Sequence, residues 1–157
     1  MVTAVLDLVG EVPDPELRVV SIAELGILRD VSVDAGRVVV TITPTYSGCP
    51  AMDAIRADIE AALPGQRVVV RTVLAPAWST DDITPDGRRK LAEHGIAPPA
   101  VSRPTGSTTE VALTLTVRCP QCGSPDTREL SRFGSTACKA LWVCNACAEP
   151  FDRFKEL

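Results

Sequence analysis

The 157-residue chain is poor in aromatics, with three Phe, two Trp and one Tyr, and it carries a single histidine, His94. That histidine accompanies no cysteine in a recognisable nucleophile pattern, which argues against a cysteine hydrolase. His94 closes a helical stretch, where an imidazole suits the negative end of the helix dipole. No apolar run approaches the roughly 20 residues that span a bilayer. Met1–Leu8 has neither a basic start nor a small-residue cleavage site. Together these absences predict a cytoplasmic protein with no membrane partner. Basic charge is scarce too: the formal net charge is -4, with ten Lys/Arg against fifteen Asp/Glu in residues 1–110 and six against five in residues 111–157. Nucleic-acid binding draws most of its affinity from neutralised phosphates, so this balance argues against it.

Cysteine is present and unevenly placed. Cys49 stands alone in Thr43-Pro-Thr-Tyr-Ser-Gly-Cys-Pro50, while Cys119, Cys122, Cys138, Cys144 and Cys147 all lie in the last 39 residues. In a reducing compartment, two C-x-x-C units point to a metal site rather than two disulfides. Two residues between cysteines let both sulfurs of a tight turn face one ion, and Gly123 follows the first knuckle where a left-handed turn is needed. The 21 residues between Cys122 and Cys144 suffice for a strand pair, Thr127–Phe133 and Cys138–Val143. Glu149–Phe154 is expected to return as a third strand, bringing Phe151 or Phe154 to the apolar side of the site. The pattern resembles a zinc ribbon, with Cys119, Cys122, Cys144 and Cys147 holding a structural Zn2+ whose binding supplies much of the folding energy of so small a module. Iron in the same sulfurs, acting as a one-electron carrier, is the alternative. Cys138 reads as a small buried filler or, alternatively, as an exposed auxiliary thiol.

Upstream, the pattern predicts an α+β domain. A helix over Ala4–Val9 ends before Pro13 and Pro15, a helical turn over Ser21–Leu25 stops at Gly26, and Leu28–Val33 and Arg37–Thr43 form a hairpin about Asp34–Gly36. Met52, Ile55, Ile59 and Leu63 mark a helix opened by Cys49, and Arg67–Leu74 is a third strand. This α-β-β-α-β order predicts a small sheet covered by helices on one face. Ala75–Asp82 reads as a loop bearing Trp78, and a helix runs from Pro85 to about His94 with Thr84 as its cap. The expected division is a metal or cluster-handling domain over 1–96, a Pro/Ser/Thr-rich linker over 97–110 and a β-rich, four-cysteine ribbon over 111–157 that opens with an alternating strand at 111–117.

Cys49 is expected as the N-cap of its helix, with Pro50 at the first helical position. Free amides and the helix dipole there predict a lowered thiol pKa. Asp14 and Glu16 lie in good helix-start chemistry, Asp14 as cap and Glu16 in the first turn, beside their alternative role as ligands. Tyr46 and Trp78 read as packing residues.

Val12-Pro-Asp-Pro-Glu-Leu17, Ser21-Ile-Ala-Glu-Leu-Gly26, Thr43–Pro50 and the Pro76-Ala-Trp78 loop together resemble the SufT-like family of iron–sulfur assembly domains. Joined to Phe133-Gly-Ser-Thr-Ala-Cys-Lys-Ala-Leu141 and the segment Cys144–Lys155, nearly the whole chain resembles the PaaD family, accessory proteins of the phenylacetyl-CoA epoxidase system of aerobic phenylacetate degradation. The resemblance implies a non-catalytic factor in iron–sulfur cluster or iron-centre maturation, with Cys49, Asp14 and Glu16 as candidates for transient iron or cluster binding. It implies partners among the oxygenase and reductase subunits and the iron–sulfur assembly machinery. Separately, one exposed thiolate per protomer makes a homodimer, with a cluster bridging two Cys49 sulfurs, a testable expectation. A structural adaptor of the oxygenase without metal traffic is the competing reading. Relatives commonly carry Asp in place of Glu24 and Pro in place of Ala77.

Overall fold

The computed structural model describes residues 2–100 and 116–155. The chain forms two compact units, Met1–Gly87 and Arg88–Leu157.

In the first unit, α1 (Val2–Gly10) is followed by β1 (Leu28–Asp34), β2 (Arg37–Ile42), α2 (Ala51–Ala62) and β3 (Val68–Thr72). The strands form one sheet in the order β1-β2-β3. β1 and β2 are antiparallel, with Asp34 opposite Arg37. Their two-residue connection places Ala35 and Gly36 at φ 48° and 73°, the pair of positive angles that matches the twist of a tight hairpin. β2 and β3 run parallel, with Val38 opposite Val68, so the chain must cross over between them, and α2 is that crossover. α2 buries Ala51, Ile55 and Ile59 at four-residue spacing. α1 packs on β1 and α2, burying Val5 and Val9. Val38, Val39 and Val40 are buried in succession. Because neighbouring side chains on a strand point to opposite faces, the central strand is covered on both sides.

The segment between α1 and β1 is closed by a bridge between Pro13 and Ser21, flanked by Asp14 N–H to the Val20 carbonyl and Ile22 N–H to the Val12 carbonyl. The Ser21–Gly26 turn is fixed by a reciprocal capping box: Ser21 N–H donates to Glu24 Oε2 at 2.9 Å, and Glu24 N–H to Ser21 Oγ at 3.2 Å. The stretch expected as a loop around Trp78 contains a 3-10 turn, Thr80–Asp82, held by a second box between Ser79 and Asp82. α3 (Pro85–Glu93) begins at the expected cap, since Gly87 N–H donates to Thr84 Oγ1 at 3.0 Å.

The second unit holds β4 (Ile96–Ala97), β5 (Thr127–Ser131), β6 (Lys139–Cys144) and β7 (Pro150–Phe154), in the sheet order β4-β7-β6-β5. β5, β6 and β7 form the expected antiparallel meander. β4 is the addition: Ile96 and Ala97 pair in parallel with Asp152 and Arg153. Two residues give no readable periodicity, and this pairing ties residues 88–97 to the C-terminal unit, although the sequence pattern places 88–96 with the N-terminal one. The linker expected over 97–110 and the strand expected over 111–117 lie mostly outside the described residues. Among the described residues no helix is long and apolar enough to cross a membrane.

Candidate metal centre and the Cys49 loop

The two knuckles converge. The sulfurs of Cys119, Cys122, Cys144 and Cys147 all lie within 4.8 Å of one another, with Cys119 to Cys147 at 3.8 Å and Cys122 to Cys144 at 3.6 Å. A tetrahedron with metal–sulfur bonds of about 2.3 Å has edges of about 3.8 Å. The donor set therefore fits a single thiophilic ion of zinc size.

The geometry of each turn explains the convergence. Gly123 N–H donates to the Cys119 carbonyl at 2.8 Å, and Ala148 N–H to the Cys144 carbonyl at 2.9 Å. Gly123 and Ala148 both adopt positive φ. In each knuckle the first cysteine is buried and the second exposed, so the cage has an inner wall and a rim. Ala97, Val117 and Phe151 complete the core around Cys119 and Cys144, and Trp142 packs against it. Phe151 thus occupies the position the sequence offered to Phe151 or Phe154.

Hydrogen bonds from the Cys147 amide, opposed by burial and joined by the Ala146 amide, bring the Cys144 thiol down to about 7. The Glu149 amide favours a thiolate at Cys147, yet burial and the neighbouring thiols push that group up to about 12. Cys122 is raised as well: the Ser124 amide works against the shift, while Cys144 and burial drive it. Four sulfurs at this spacing cannot share their negative charge without a cation, which is the electrostatic argument for a metal. Cys138 lies outside the cage, buried, 3.0 Å from Thr136 Oγ1. It is not exposed.

Cys49 sits half-buried at the end of a loop anchored by Thr43, whose hydroxyl donates to the Val73 carbonyl at 2.6 Å. The cap position of α2 is Pro50, itself helical at φ -69°, with no side-chain capping bond. Cys49 is therefore one residue outside the expected cap. Its thiol is raised, not lowered: burial is the largest cause, the Ala51 amide and the Tyr46 side chain favour the thiolate, and the charges of Glu16 and Asp14 oppose it. The helix terminus is outweighed by desolvation and two nearby carboxylates.

Those carboxylates come from the turn closed by the Pro13–Ser21 bridge. Asp14 is buried, and its Oδ1 accepts the amides of Glu16 at 2.9 Å and Leu17 at 2.8 Å, closing a turn rather than capping the expected helix. Burial nevertheless raises its pKa, against these two hydrogen bonds and with the help of the Glu16 charge. The fold thus brings Asp14, Glu16 and Cys49 into one electrostatic neighbourhood. Among the described residues, the four ribbon cysteines are the set of three or more side chains whose ligand atoms meet closely enough to hold one ion. Tyr46, expected as a packing residue, contributes to the Cys49 site. The turn in which Cys49 N–H donates to the Tyr46 carbonyl at 3.3 Å folds the two residues together. Trp78 is buried at the Ser21–Gly26 turn, its indole N–H donating to the Leu25 carbonyl at 2.8 Å, and there it does pack.

Comparison with known proteins accounts for both halves. Residues 3–73 match the iron–sulfur cluster assembly protein family, and residues 103–155 match the PaaD zinc β-ribbon domain. A protein of Escherichia coli (strain K12) described as a subunit of a 1,2-phenylacetyl-CoA epoxidase is 46% identical over 151 residues, covering 94% of this chain and 88% of that protein. Among solved structures, a domain of unknown function (DUF59) from Bacillus anthracis superposes with a TM-score of 0.53 at 29% identity, covering 57% of this chain and 90% of that one. A conserved hypothetical protein of Thermotoga maritima aligns with a TM-score of 0.48 at 29% identity, over 58% of this chain and 93% of its own. An α+β unit of the assembly-protein type followed by a four-sulfur ribbon, with 46% identity to one such relative across 94% of the chain, makes this chain a member of the PaaD family.

Proposed function

We propose that this chain is a non-catalytic accessory factor of a phenylacetyl-CoA epoxidase system, acting in the maturation of an iron–sulfur cluster or iron centre in that system. The N-terminal unit handles the cargo, and the C-terminal unit is a ribbon whose resident metal is zinc, held by Cys119, Cys122, Cys144 and Cys147. The observation that carries the reading is the gathering of Cys49, Asp14 and Glu16 within an assembly-type unit. A thiol with a raised pKa is protonated at neutral pH, so loading iron or a cluster on Cys49 releases a proton and protonation favours unloading. The two carboxylates that oppose a bare thiolate would stabilise a cationic cargo beside it. Such a site holds cargo weakly, as a carrier must.

The adaptor reading, in which Cys49 carries nothing, is favoured by one observation: Cys49, Asp14 and Glu16 do not by themselves meet closely enough to hold a single ion. Metal and acid-labile sulfide in anaerobically purified protein separate the two, with wild type and Cys49→Ala reconstituted side by side. The carrier reading expects equal zinc in both and iron with sulfide in the wild type alone. Zinc in both, with no iron or sulfide in either, makes the chain an adaptor. Iron, not zinc, in the four-sulfur cage of both makes the ribbon an electron carrier.

A further inference from the structure

Phe133 is 78% exposed, and the fold spends several interactions on holding it there. The Ser131 hydroxyl accepts the Phe133 amide at 3.1 Å and donates to the Phe133 carbonyl at 3.0 Å. The Lys155 ammonium stands 5.3 Å from the centre of the Phe133 ring and donates to the Arg132 carbonyl at 3.0 Å. Gly134, next in the chain, is bonded to the Lys139 carbonyl at 2.8 Å, and a β-carbon there would come within 3.1 Å of that oxygen. A large exposed ring ordinarily turns freely, whereas this one is fixed at its backbone and from above by a cation.

The surroundings extend the surface. Leu130, at the end of β5, is 47% exposed. Among the described residues, β5 is an edge strand of its sheet. Arg128 and Arg132 are exposed nearby in the chain, with Asp126 and Glu129 as the exposed acids of that stretch, and the Lys155 ammonium at the ring adds a third cation. A pre-ordered aromatic with an aliphatic neighbour and a cationic rim is the composition of a protein–protein hot spot, in which the ring enters an apolar pocket and the rim sets partner and approach.

We propose that Phe133, with Leu130, Arg132 and Lys155, is the docking surface of the ribbon, and that its occupant is an apolar pocket rimmed by carboxylates on another subunit of the epoxidase system. Charge complementarity selects that occupant: a cationic rim around an apolar anchor is matched by an acidic rim around an apolar hole. The proposal rests on the accessory role proposed above for the identity of the partner, and it adds the face by which the partner is held.

The test uses the full-length, zinc-loaded chain, immobilised, with the purified remaining epoxidase subunits as probe. Phe133→Ser is expected to weaken binding at least about tenfold, and Arg132→Glu to weaken it more at low salt than at high salt, with zinc content and far-ultraviolet circular dichroism unchanged in both. Undiminished binding by both variants overturns the assignment of this face. Loss of self-association by the Phe133→Ser chain, with subunit binding intact, also overturns it and makes the occupant a second copy. Failure of the wild-type chain itself to bind any subunit overturns the accessory role, and the docking face with it.

Discussion

Gly123 and Ala148 hold the same conformation at equivalent places in the two metal knuckles, φ 74° and 63°, each directly after the second cysteine of its pair. In each case that residue's own amide closes the turn that aims the sulfurs inward. One position is filled by the residue that adopts this angle freely, the other by one that resists it. A β-carbon on Gly123 meets nothing within 4 Å, so Gly123→Ala isolates the backbone cost. It is expected to cost about 1 kcal/mol of ribbon stability. Ala148→Gly should gain less than that, because relieved strain is partly offset by a more flexible unfolded chain. Rates of zinc transfer to a chromophoric chelator check both: faster for Gly123→Ala, equal or slower for Ala148→Gly.

Removing one sulfur has a much larger effect. Cys144→Ser, or chelation of the wild type, is expected to abolish metal binding and unfold residues 116–155, whose core is built on Cys119 and Cys144. The N-terminal unit, a separate compact body, should keep its own transition. Hydrogen exchange resolved by peptide reads the two units separately, and equal loss of protection in both would contradict the expectation.

The Ser21–Gly26 turn and the Trp78 segment interlock. A β-carbon on Gly26, at φ 75°, would stand 2.6 Å from both Asp82 Cβ and the Asp82 carbonyl oxygen. Gly36 has a similar angle, 73°, with nothing within 4 Å. Gly26→Ala should therefore destabilise the N-terminal unit by about 2–4 kcal/mol, and Gly36→Ala by about 1 kcal/mol. Urea unfolding followed by Trp78 fluorescence in a Trp142→Phe background measures the difference, which reports the close approach.

Asp14 supplies a pH signature. Its native pKa lies above the ordinary 3.8, so between the two values the folded protein binds more protons than the unfolded chain. Its contribution to stability is then fully present below 3.8 and is lost as pH rises through the native value. Asp14→Asn, which keeps an oxygen for the Glu16 and Leu17 amides, should flatten this dependence and exceed the wild type in stability near neutrality. Denaturation midpoints of the two proteins across the acidic range test the sign.

For Cys49 the native pKa is above 9.0, so alkylation by iodoacetamide at neutral pH should run slower than for an unperturbed thiol and accelerate through the alkaline range. Glu16→Gln removes one opposing charge and should raise the neutral-pH rate by about twofold. Mass spectrometry of the Cys49 peptide gives the rate directly. An unaltered rate in the variant would remove the carboxylate from the neighbourhood of the sulfur.

The α+β class, both hairpin partners, α2 and the four cysteines that converge were legible in the sequence because each rests on short-range rules. Ile55 and Ile59 repeat at helical spacing, Val38–Val40 form a β-branched run, and C-x-x-C turns are local geometry. What the chain could not disclose depended on residues far apart in sequence. The two residues of β4 become a strand only through pairing with β7. The Trp78 loop gains its order from the Leu25 carbonyl. The pKa of Cys49 reversed its expected direction because burial and the Asp14–Glu16 turn outweigh the helix end. Local propensity and ligand spacing are encoded along the chain; desolvation and Coulomb energy depend on which distant groups the fold makes neighbours, and only the tertiary structure decides that.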